Sequence, residues 1–130
     1  MNEQIDRYRA KLEYEIDSWD LKVALDAGER VTVVDARSAD AFAREHIPGA
    51  INIPHRAMDR DTTRVIAKDA LVVSYCDGIG CNASTKGALA LAKLGFRVKE
   101  LIGGLDWWKR DGHATTSTRA GATAADCGCD

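Results

Sequence analysis

Two short runs of β-branched residues set the architecture open to this chain. "VTVVDA" (31–36) and "ALVVSYC" (70–76) are apolar almost throughout. A strand without polar alternation has to be covered on both faces, as the strands of a parallel sheet are. Segments of helical period lie around them. "SWDLKVALDAGE" puts Leu21, Ala24 and Leu25 on one face, with Ser18 as the expected N-cap and Gly28 at the stop. "SADAFAREHI" reads as a short helix capped by Ser38 and ended by the Pro48-Gly49 turn. A further helix is expected from Asn82 or Ala83 to Leu94, with Gly95 as a left-handed C-cap and Phe96 packing back on Leu91. "AINIP" and "VKELI" add strands, "LDWWKRDG" adds a last helical segment, and residues 55–69 show no dominant period. Strands alternating with helices predict an α/β domain with a parallel sheet and helices on both faces.

The ends differ from this middle. Ile5, Tyr8 and Leu12 fall at helical spacing, which predicts an extra amphipathic helix over about residues 1–12. From His113 onward the chain is small, polar and aperiodic, which predicts a domain over 1–112 and a flexible tail over 113–130. A net charge of −2 supplies no general attraction to nucleic acid or to an anionic membrane. No apolar run reaches the length of a bilayer span, and the polar "MNEQIDRYRAKLEYEI" lacks a signal peptide's apolar stretch. A cytoplasmic protein is the expectation, and in that compartment four cysteines are reactive or metal-binding rather than a structural framework.

Function gathers beyond the carboxyl ends of strands in such sheets, and Cys76 closes the second apolar run. After it come "DGIGCN" and the start of a helix. Helix N-terminal amides favour an anion, and Gly78 and Gly80 let several N–H groups converge on one centre. The stretch therefore suits a thiolate, which is the nucleophilic form of cysteine. Asp77 opposes this if its carboxylate turns inward, so it is expected to face solvent. Zinc is a poorer fit, because Cys76 and Cys81 supply two ligands and the other cysteines lie in the tail. A Walker-type phosphate loop fails on glycine and lysine spacing. A cysteine phosphatase calls for arginine six residues after the nucleophile; Asn82 stands there, and a neutral amide does not replace a bidentate cation.

Three segments, in order, carry a resemblance. "VVDARSADAFAREHIPGAINIP" (33–54), "LVVSYCDGIGCNAS" and "LGFRVKELIGGLDWW" together resemble the single-domain rhodanese-like sulfurtransferase family, over roughly residues 12–112. The resemblance implies a three-layer α/β domain with a central parallel sheet of about five strands. It also implies a ping-pong reaction in which a sulfane sulfur passes from a thiosulfate-like or protein persulfide donor to Cys76. From that persulfide it passes to a thiol or cyanide-like acceptor. On this match the backbone of Asp77, Gly78, Ile79, Gly80, Cys81 and Asn82 forms the substrate cradle, and no metal or organic cofactor is implied.

Two departures from the family pattern matter. The span from Cys76 to the Gly95-Phe96 end of its helix is a couple of residues longer than in the shortest family members, which suits a bulkier donor. The loop also lacks a cation before Lys86. Arg37 is the candidate to supply one to the substrate; the alternative is that it pairs with a carboxylate under the sheet edge. His46, His55 and His113 are assigned structural roles, Asp35 a turn-holding role, and Trp107 and Trp108 core and rim packing. Cys81 either fills the loop wall or, if it faces inward, attacks the Cys76 persulfide. Cys127 and Cys129 are expected to be dispensable for loading Cys76, with sulfur acceptance or soft-metal binding open to them. Two other functions compete: a thiol redox enzyme using the Cys76/Cys81 pair, and a non-catalytic partner-binding module.

Overall fold

A computed structural model describes residues 2–118. Its centre is a five-stranded sheet in which every pairing is parallel. β2 (Val31–Asp35) and β4 (Leu71–Tyr75) pair along their whole length, from Val31 opposite Leu71 to Asp35 opposite Tyr75. β5 (Arg97–Leu101) lies on the other side of β4. Two-residue strands complete the edges: β1 (Glu15–Ile16) beside β5 and β3 (Ile51–Asn52) beside β2. The order is β1-β5-β4-β2-β3. The two apolar runs thus became the interior strands that their composition demanded.

Alternation along β2 and β4 divides the core in two. Val33, Val73 and Tyr75 face α2 (Ser18–Asp26) and α5 (Gly104–Arg110), where they meet Leu21, Leu105 and Trp108. Val34 and Val72 face the opposite way, onto Leu91 of α4 (Ala83–Lys93), Phe96 and Ile66. Each large side chain so buried contributes about 1.5–3 kcal/mol relative to exposure. α4 lies close on the sheet because Gly87 has no side chain: a Cβ there would stand 3.0 Å from Ser74 Oγ and 3.2 Å from Ala36 Cβ. At the end of α4, Gly95 is left-handed (φ 93°) and the Phe96 N–H returns to Leu91 O, as expected. Ser38 caps α3 (Ala39–Arg44) by accepting from the Ala41 N–H. α2 differs from expectation: Asp17 is its cap, accepting from the Asp20 N–H, and Ser18 is the first helical residue, buried.

The two ends also depart from expectation. α1 (Glu3–Tyr14) forms, yet buries no residue; Ile5, Tyr8 and Leu12 are all exposed. Residues 113–118 do not behave as the start of a loose tail. Thr116 forms an antiparallel bridge with His46, and the Thr118 N–H donates to Ala43 O. The Trp108 indole donates to Ala114 O, and the Thr115 hydroxyl donates to Glu45. Small polar residues gave no apolar signal, but backbone groups and one tryptophan sufficed to lay this strap on α3. The rest of the expected tail, with Cys127 and Cys129, lies outside the described residues. No described helix is long and apolar enough to cross a membrane.

Candidate active site

Cys76 follows the last residue of β4, the central strand, and six residues separate it from α4. It is buried, with 2% of its surface exposed. The burial comes from α5. The Leu105 N–H donates to Cys76 O (2.9 Å) and the Asp106 N–H to Asp77 O (2.7 Å), so the first turn of α5 clamps the start of the loop. Such an approach needs a residue without Cβ at its closest point. Gly104, left-handed at φ 55°, is that residue; a Cβ there would run into Cys76 O and the Gly78 nitrogen. The Gly103-Gly104 pair lies within the segment LGFRVKELIGGLDWW. Only the clamp shows what it does.

The loop then folds back on itself. Gly80 is left-handed (φ 95°), and the Cys81 N–H donates to Gly78 O at 3.2 Å. This turn carries Cys81 to a Cα–Cα distance of 6.3 Å from Cys76, and their Sγ atoms are joined in a disulfide. Ile79 stands at the crest, 83% exposed. Among the described residues, the N–H groups of Asp77, Gly78, Ile79, Gly80 and Asn82 have no backbone acceptor. Asn82 is the N-cap residue of α4 and makes no side-chain cap bond. The first turn of α4 is held in place by Ser74, whose hydroxyl donates to Ser84 O, and by Glu100, which accepts from Ser84 and Thr85. A cavity of about 180 Å³ opens beside the loop, lined by Gly78, Ile79, Gly80, Cys81, Gly103 and Glu100 among others.

Arg37 is not a substrate cation. Its guanidinium is buried and fully engaged: Nη2 and Nε donate to Asp35 (2.7 and 3.0 Å), Nη1 to Asp77 Oδ1 (2.8 Å), and Nη2 also to Glu45 O (2.6 Å). Burial alone would lower its pKa, but Asp35, with Tyr75 and Asp77, holds it above the ordinary arginine value. The same pairing corrects the expectation for Asp77. Its carboxylate turns inward because a buried cation awaits it; Oδ2 is buried without a hydrogen-bond partner. Asn52 closes the arrangement by donating to Asp35 O and Arg37 O. Tyr75, whose hydroxyl accepts from the Ile47 N–H, is kept a neutral phenol by burial and by the charge of Asp35.

The histidines are occupied elsewhere. His46 is buried, stacks on Phe42 and binds Phe42 O through Nδ1. His113 packs against Trp19 and Trp108. His55 has its pKa lowered, first by burial and then by the charges of Arg56 and Lys86. Among the described residues no group of His, Cys, Asp and Glu is placed to hold a metal ion.

A parallel sheet with a cysteine loop at the end of its central strand matches one family over most of the chain: residues 19–111 fit the rhodanese-like domain. The chain belongs to this family. The BH2092 protein of Bacillus halodurans is 43% identical, with a TM-score of 0.86, covering 90% of this chain and 86% of that one. A rhodanese-like domain of the Alr3790 protein from Anabaena is 30% identical, with a TM-score of 0.71, covering 88% and 89% of the two chains. A stretch of 87 residues is 36% identical to the HTH-type transcriptional regulator Rv0324 of Mycobacterium tuberculosis. That match covers 67% of this chain and 38% of the regulator. In this rhodanese-like domain, then, Cys76 leads into a loop whose amides, that of Cys81 apart, have no backbone acceptor, while Arg37 is paired with Asp35 and Asp77.

Proposed function

We propose that this rhodanese-like domain is a sulfurtransferase carrying a sulfane sulfur as a persulfide on Cys76. The observation that supports this most is the position of Cys76 at the root of a loop in which the amides of Asp77, Gly78, Ile79, Gly80 and Asn82 have no backbone acceptor. A thiolate there attacks the outer sulfur of a thiosulfate-like or protein persulfide donor. The S–S bond of the donor breaks, and its remainder leaves as an anion such as sulfite. The new Cys76 persulfide is itself an anion, and preorganised donors favour it in a site sheltered from water. A thiol or cyanide-like acceptor then takes the outer sulfur and returns Cys76 to its thiolate. Small donors and thiol acceptors are accordingly the proposed partners, and the cytoplasm, which keeps thiols reduced, is the proposed setting.

Intact-protein mass spectrometry tests the reading. The chain is first reduced, then exposed to thiosulfate and, separately, to a low-molecular-weight persulfide. One added sulfur that a reductant removes is the expected result, and the Cys76→Ser variant should take up none. Uptake by that variant equal to the parent's would place the chemistry elsewhere.

A further inference from the structure

The persulfide reading leaves Cys81 unused, although it is the residue brought closest to the nucleophile. The turn at Gly80, closed by the Cys81 N–H on Gly78 O, points Cys81 at Cys76. Their separation of 6.3 Å between Cα atoms lies within the range of about 4.4–6.8 Å that a disulfide spans. The bond between them forms with β4 fully paired, α4 intact and the α5 clamp in place.

Resting on the sulfurtransferase reading, we infer that Cys81 is a resolving thiol that turns the Cys76 persulfide into a disulfide and releases its outer sulfur as hydrosulfide. Cys81 Sγ attacks the inner sulfur, Cys76 Sγ, because that is the atom to which the loop delivers it. The Sγ–Sγ bond forms and the bond to the outer sulfur breaks. The proton of the Cys81 thiol leaves with that sulfur as HS⁻. Two thiol-level sulfurs are oxidised to a disulfide while the sulfane sulfur is reduced to sulfide, so the donor's own sulfur is the oxidant and no further one is needed. The second half of the cycle is a dithiol exchange. In the disulfide form Cys76 is buried, whereas Cys81 is half-buried and lines the 180 Å³ cavity. An incoming dithiol therefore attacks Cys81 and expels Cys76 as the thiolate that begins the next round. Where no other acceptor takes the outer sulfur, the chain thus becomes a dithiol-dependent, sulfide-releasing enzyme.

The test loads reduced full-length chain with one equivalent of thiosulfate, without oxygen or free thiol, and measures sulfide released together with the state of residues 69–86. That tryptic stretch holds Cys76 and Cys81 but neither tail cysteine. The parent should release one equivalent of sulfide while the stretch loses two hydrogens. Cys81→Ser should release none and keep the extra sulfur on Cys76. Cys81→Ala should match it, which guards against a loop disturbed by the serine. Equal persulfide lifetimes in parent and variants would overturn the inference and leave the sulfurtransferase reading standing, and so would the extra sulfur migrating intact to Cys81. Failure of every protein to take up sulfur would overturn both.

Discussion

The turns leaving β2 and β4 begin at neighbouring positions, since Asp35 lies opposite Tyr75 in the sheet, yet they use their polar groups in opposite ways. After β2, everything is consumed internally. The Asp35 carboxylate, the Arg37 guanidinium and the two carbonyls taken by Asn52 are buried and paired. After β4, the chain turns through glycines and leaves a row of amides without backbone acceptors. Asp77 is the seam between the two, a residue of the second turn bonded to the cation of the first. The rigid turn supplies a fixed wall, and the open turn keeps its donors available. Buried charge serves position here, and unspent backbone is what the proposed chemistry draws on.

Breaking the rigid turn should give the largest effect. Arg37→Leu removes the one cation between Asp35 and Asp77, and removing one partner of a buried pair costs about 3–5 kcal/mol. Urea denaturation should show a loss of that order, with sulfur loading falling as Asp77 is released. A loss below about 1 kcal/mol, the range of exposed pairs, would show that the turn does not depend on its charges. The clamp comes next. Gly104→Ala adds a backbone collision to a left-handed conformation, and strained backbone of this kind costs on the order of 1–3 kcal/mol. Gly28→Ala makes the control, being left-handed (φ 71°) with open space around it. Both should lower stability; only Gly104→Ala should also slow sulfur loading, because it alone displaces Cys76 and Gly78.

The smallest effect concerns His55, whose N–H ties the 3₁₀ turn His55–Ala57 to Ala36 O beside the rigid turn. Its pKa is lowered in the folded chain, first by burial and then by Arg56 and Lys86. The unfolded chain thus binds more protons as pH falls below the unperturbed value of about 6.5, and folding stability declines with it. The decline is complete once the pH is below the folded pKa. His55→Gln should make the melting temperature fall less between about pH 7 and pH 5 than the parent's does.

The open turn was easier to foresee from sequence than the rigid one. β2 and β4 announce themselves because β-branched runs carry their burial in their composition, and Gly95 with Phe96 marks a helix end by local chemistry. Gly80 likewise announces at close range the left-handed turn it makes. Arg37 and Asp77 do not, being 40 residues apart, and whether a carboxylate turns inward depends on a cation that only the fold brings near. The same holds for the strap. Residues 113–118 bury almost nothing of their own and are secured by partners on α3, the residues just after it and α5. β1 is two residues long, too short for any period. Gly104 was visible as a glycine, but the backbone it must approach was not.

Strand order has a consequence for how the chain is made. β4 sits between β2, which precedes it, and β5, which follows as residues 97–101. On a ribosome, β4 emerges and pairs on one side only. Until β5 arrives, the apolar strand leading into Cys76 is an edge, the kind of surface that recruits other chains. β1, made earliest of all, then waits for Glu100 and Leu101 before it has any neighbour. Contacts so distant along the chain form slowly. A nascent or truncated chain that stops short of residue 97 therefore exposes a sticky, uncompleted sheet, and β5 is what covers that edge against other copies.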